Sequence, residues 1–94
     1  MKLKQKASNK LHRRYLLIEG SDKNIIEKTI LDYIGILGWA KSNPIFVQDN
    51  DLNEKGIVLA VDRKSLDDIR AAFEISNEKI KILRVSGTLK GLDK

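Results

Sequence analysis

Gly56-Ile57-Val58-Leu59-Ala60-Val61-Asp62 is the stretch on which the fold turns. Ile57 to Val61 are all apolar, three of them are β-branched, and a glycine and an aspartate bound the run. It is short for a helix and apolar on both alternating faces, which predicts a strand covered on both sides. To its N-terminal side, Pro44 has no N–H for a sheet ladder, so Ile45-Phe46-Val47-Gln48 reads as an edge strand. Asp49 to Lys55 is then a polar hairpin loop. To the C-terminal side, Ser65 with Asp68 resembles a capping box, and Leu66, Ile69, Ala72 and Phe73 form a helical stripe. Lys79 to Leu89 follows as a strand, with Ile80, Ile82, Leu83 and Val85 as its apolar members.

Nearer the N-terminus, Arg14-Tyr15-Leu16-Leu17-Ile18-Glu19 is a second short, partly β-branched run and predicts a buried strand. Gly20-Ser21-Asp22 breaks it, and Ser21 or Asp22 is placed to cap a helix. Ile26, Ile30, Tyr33, Ile34 and Leu37 give that helix its stripe; Gly38 sits where its C-terminus is expected, and Gly35 weakens the last turn. The order is β-α-β-β-α-β. Right-handed crossovers then give an α+β, ferredoxin-like (RRM-like) sandwich, a four-stranded antiparallel sheet with both helices on one face and strands one and three at its centre.

Ninety-four residues, 41% hydrophobic and 33% charged, fit one such domain over residues 11–94, preceded by a flexible basic arm over residues 1–10. There is no cysteine, so disulfides and thiolate metal sites are excluded. The longest apolar runs are too short to cross a bilayer, and the basic N-terminus has no apolar stretch behind it. A cytoplasmic location is the expectation. Charge is distributed unevenly: residues 1–14 carry six basic groups and no acid. Residues 15–78 hold seven basic and twelve acidic groups, and residues 79–94 five basic against Asp93 alone. Two basic ends flanking an acidic middle suit phosphate backbones, although solvated basic tails are also common.

Catalytic chemistry finds little support. His12 is the sole histidine and has no evident orienting partner. Asp49-Asn50-Asp51-Leu52-Asn53 begins like a calcium loop, but Glu54 stands where a glycine is needed and Ala60 where a bidentate carboxylate is needed. Acyl-phosphate hydrolysis on this fold needs an arginine in the first strand-to-helix turn; Gly20-Ser21-Asp22-Lys23-Asn24 has none. A ligand-binding regulatory module remains open, because Gly20 permits close approach there. Ile57, Leu59 and Val61 stand where an RNA-recognition sheet needs aromatic rings, and strand one offers Tyr15 alone, so RNA contact should run through phosphates. The apolar second face of strand three should meet a protein partner, unless the arm or the C-terminus folds over it. A pure protein-interaction module is thus the third reading.

Ile82-Leu83-Arg84-Val85-Ser86-Gly87-Thr88-Leu89-Lys90 resembles the segment that closes the core of the archaeal ribonuclease P protein component 2 family, related to a small subunit of eukaryotic ribonuclease P and MRP. Arg13-Arg14-Tyr15-Leu16, Leu37-Gly38-Trp39-Ala40-Lys41 with Pro44, and Gly56-Ile57 leading to Asp62-Arg63 agree in order and spacing. The resemblance spans roughly residues 11–92. It implies a non-catalytic subunit of the endoribonuclease that removes the 5′ leader of precursor tRNA. Hydrolysis would be performed by the RNA with magnesium, and no cofactor would reside in the protein. Implied partners are ribonuclease P RNA, precursor tRNA, ribonuclease P protein component 3 and other protein subunits, with homodimerisation open and no membrane. Some relatives continue into an extra basic C-terminal helix, whereas this sequence stops at Lys94, and the expectation is that contacts made by that extension are absent or supplied by the N-terminal arm. By the same resemblance, RNA contacts fall on Arg13, Arg14, Arg63, Lys64, Arg84 and Lys90; Lys41, just before strand two, belongs to the same set of basic residues and is expected to contact RNA as well. Ser86 and Thr88 would add hydroxyls and Gly87 close backbone approach; the rival role for these three is a strand-end bulge.

Overall fold

A computed structural model describes residues 13–20 and 22–92. The expected arm at residues 1–10, His12 and Ser21 lie outside the described residues. Four strands, β1 (Arg13–Glu19), β2 (Ile45–Val47), β3 (Ile57–Asp62) and β4 (Lys81–Ser86), form one antiparallel sheet in the order β2-β3-β1-β4. Two longer helices, α1 (Lys23–Ser42) and α3 (Leu66–Ile75), connect them, and two short helices, α2 (Asn50–Asn53) and α4 (Leu89–Leu92), complete the chain. This is the ferredoxin-like order, with β1 and β3 central.

The pleat sorts the sequence into two apolar layers. Leu16 and Ile18 of β1 with Leu59 and Val61 of β3 face α1 and α3, meeting Ile26, Ile30, Ile69 and Phe73 in the main core. The intervening residues, Leu17 and Val58, point to the opposite face. There they are buried by Leu52 of α2 and Leu92 of α4, with Tyr15, Val47 and Leu89 around them. Of the two expectations for this face, a protein partner or cover by the arm or the C-terminus, the C-terminal alternative holds: Leu89 and Leu92 pack on it, joined by Leu52 from the polar loop, which the sequence did not foretell. The loop does so because it is helical. Asp49 accepts a hydrogen bond from the Leu52 amide at 3.1 Å, and Asn53 accepts one from the Asp49 amide at 2.8 Å. These reciprocal caps turn Leu52 inward.

Other boundaries also move. Asp22 caps α1, accepting from the Ile25 amide at 2.9 Å. Gly38 does not end the helix; Asn43 does, at φ 46° and ψ 57°, a left-handed conformation that asparagine tolerates. Its N–H reaches back to Trp39 O and Ala40 O. Gly35, at φ 75° and ψ 176°, puts a kink inside α1. Of the predicted stripe, Ile26 and Ile30 are buried and Ile34 partly so, whereas Tyr33 is 45% exposed and Leu37, beyond the kink, 79% exposed. The Ser65 capping box does not form. Asp62 accepts from the Lys64 amide at 2.9 Å and starts a 3₁₀ turn (Arg63–Ser65). Ser65, at φ −97° and ψ 0°, is thereby already helical and cannot act as an extended cap. β4 stops at Ser86, five residues after it starts, and Leu89 belongs to α4.

Candidate nucleic-acid interface

Antiparallel pairing decides which basic residues meet. Arg13 lies opposite Asp62, Arg14 opposite Val61, and Tyr15 opposite Ser86. The start of β1, the end of β3 and the end of β4 therefore sit side by side at one end of the sheet. Arg63 and Lys64, on the exposed 3₁₀ turn, follow directly from Asp62. The C-terminal end of α1 arrives at the same place: Arg13 Nη1 donates to Asn43 O at 3.2 Å, and Lys41 is two residues before Asn43. Arg14 Nη1 donates to Arg13 O at 3.0 Å. The same guanidinium lies over Gly87, where a Cβ would stand 3.4 Å from Nη1.

Of the residues singled out in the sequence, the structure thus gathers Arg13, Arg14, Lys41, Arg63, Lys64, Ser86, Gly87 and Thr88. Arg84 and Lys90 fall outside this group. Arg84 lies opposite Leu17, further into the sheet, and lines a groove along the outer edge of β4. Lys90 is on the second apolar face, in a small depression with Asp49 and Asp51. The Ser86-Gly87-Thr88 string forms the turn from β4 into α4. Ser86 Oγ accepts from the Thr88 amide at 3.2 Å, and Thr88 Oγ1 accepts from the Gly91 amide at 3.1 Å. Each hydroxyl keeps its own O–H to donate.

Electrostatically the gathered cations are available. An ion pair, Lys28–Asp32, lies elsewhere, on the exposed surface of α1. No described carboxylate forms a salt bridge with Arg13, Arg14, Arg63 or Lys64. On the sheet face away from α1 and α3, Tyr15 is the one aromatic side chain contributed by a strand, and it packs into the second core. Base stacking on an open sheet has no platform there.

Two other readings lose ground. Gly20 has φ 86°, and the space beside it is filled by the chain: a Cβ would stand 2.8 Å from Lys79 O. Its freedom serves that close approach rather than a ligand. The Asp49 carboxylate is engaged as a helix cap, and among the described residues no three histidine, cysteine, aspartate or glutamate side chains group as metal ligands. No helix among the described residues is long and apolar enough to cross a membrane. Arg70 and Lys81, which the sequence reading passed over, line the β4 groove with Arg84. Arg70 precedes Phe73 by three residues, so both lie on the side of α3 that faces β4.

Comparison with known proteins points to one family name. The chain is 38% identical to ribonuclease P protein component 2 of Thermococcus gammatolerans over 76 residues. It is 36% identical to the protein of the same name from Thermococcus kodakarensis, and 29% identical over 72 residues to that of Methanococcus maripaludis. It is a homologue of archaeal ribonuclease P protein component 2. The matches cover 70–74% of this chain. They span 62% of the length of the Thermococcus proteins and 53% of the Methanococcus one, so the relatives are considerably longer than the shared part. No family model matches the chain.

Proposed function

We propose that this protein is a non-catalytic subunit of ribonuclease P, the ribonucleoprotein that removes the 5′ leader of precursor tRNA, and that it acts in the cytoplasm. The observation that carries the reading is the convergence of Arg13, Arg14, Arg63 and Lys64 at one end of the sheet, in a chain whose relatives bear that name. Guanidinium forks held by backbone carbonyls suit paired phosphate oxygens. Lys41 and the Ser86-Gly87-Thr88 turn border the same patch, the turn adding hydroxyl donors and a glycine over which the Arg14 guanidinium lies. Magnesium belongs to the RNA active site in this reading and no cofactor to the protein.

A protein partner, ribonuclease P protein component 3, is part of the proposal. With the second sheet face sealed, the surface that suits it is the kinked end of α1, where Ile36 and Leu37 are 78% and 79% exposed. The decisive test is reconstitution: the protein, component 3 and ribonuclease P RNA together should cleave the leader faster than RNA alone at moderate magnesium. No stimulation refutes the assignment. Binding to that RNA should weaken with salt, and Arg63→Ala should lower the log–log slope by about 1. An unchanged slope removes Arg63 from the contact.

A further inference from the structure

The outer edge of β4 carries a second basic surface, separate from the end of the sheet. β4 pairs with β1 on one side, and as the last strand of the sheet it has no strand among the described residues beside its other edge. Between that edge and α3 runs a groove of about 620 Å³. Phe73, Ile80, Ile82 and Val85 form its apolar floor and belong to the main core. Leu83 has no partner across β1, because the register shifts between Leu17 and Ile18, and it stands 40% exposed over the groove. Arg70, Lys81 and Arg84 line the groove against one acid, Glu74, and none of the four forms an ion pair with a described residue.

We propose that this edge receives an extended acidic peptide segment of another protein, which joins the sheet as a fifth strand beside β4. The free ladder supplies main-chain hydrogen bonds, and the apolar floor takes the alternate side chains of such a strand. Three cations to one acid match carboxylates on the guest. A second copy of this chain is disfavoured by the same charges, since edge-to-edge pairing would set identical cationic rows against each other. RNA would engage the cations but leave Leu83 and Ile80 without a partner. The one ring in the floor, Phe73, is 4% exposed and offers no face for a base. The bulge at Leu83 limits the regular edge, which suits one short strand rather than open-ended association.

The test uses the isotope-labelled full chain and three probes: an acetylated heptapeptide alternating glutamate and valine, its lysine–valine counterpart, and a uridine dodecamer. The acidic peptide should shift the amide resonances of Lys81 to Val85 and bind at least about tenfold more tightly than the lysine peptide. Arg70→Glu combined with Lys81→Glu should invert that preference, and N-methylation of alternate peptide amides should abolish binding to the parent chain. The methylated peptide keeps the test valid if the double variant does not fold. Equal binding of the two peptides, shifts confined to other residues, or a uridine dodecamer that binds these same amides more tightly would overturn the proposal.

Discussion

Replacing Leu92 by alanine tests whether the chain seals its own second sheet face. Leu92 is 1% exposed and meets Leu17, Leu52 and Val58, themselves 4%, 3% and 1% exposed. A buried leucine cut back to alanine costs about 2–5 kcal/mol, depending on how far the site collapses. α4 spans only Leu89–Leu92, so its neighbours can relax towards the gap, and the lower part of that range, about 2–3 kcal/mol, applies. For a domain of this size each kcal/mol lowers Tm by about 4–8 °C, giving a fall of roughly 8–24 °C. Circular dichroism melts and urea titrations of the two proteins would measure it, with Leu83→Ala as the comparison. Leu83 is 40% exposed, and its truncation should cost less than about 1 kcal/mol. A Leu92→Ala protein melting within about 3 °C of the parent would show that α4 does not close this face in solution.

Gly20→Ala should destabilise by about 1–3 kcal/mol, read from the urea midpoint, because φ 86° is strained for alanine and the new Cβ meets Lys79 O. Asp22→Ala removes the acceptor for the Ile25 amide and should cost about 1 kcal/mol, while Asp22→Asn should retain most of it.

The main core was legible because each of its members obeys a single period. Leu16, Ile18, Leu59 and Val61 alternate on strands, Ile26, Ile30, Ile69 and Phe73 recur at helical spacing, and both patterns point to one interface. The second core was not legible, because what it needs is brought by two single residues in polar surroundings. Leu52 sits among Asp, Asn and Glu, and Leu92 beside Gly91 and Asp93, so neither forms a stripe. The helix end after Gly38 was misplaced because a glycine is the usual left-handed residue there, and Asn43 takes that role instead. In the candidate interface, strand adjacency brought Arg13 and Arg14 to Arg63, although Arg63 belongs to the acidic middle of the sequence. Arg84 was drawn in by the same adjacency, but its position depends on register: it pairs with Leu17, well inside the sheet. Sequence order alone does not fix that offset.

The kink at Gly35 divides α1 into two parts with different holds on the protein. A straight helix of this span would extend about 30 Å, longer than the roughly 23 Å of the seven-residue β1 beneath it. No atom approaches within 4 Å of a Cβ position at Gly35, so packing does not force the bend there. Residues 23–34 are held by Ile26, Thr29 and Ile30, all buried, whereas residues 36–42 have Ser42 buried and Trp39 partly so. Two helical segments joined by a glycine at positive φ can open separately, and the weakly packed one opens at lower free energy. Amide hydrogen exchange should therefore step upward in rate on passing Gly35, marking residues 36–42 as a local unfolding unit within an otherwise cooperative domain.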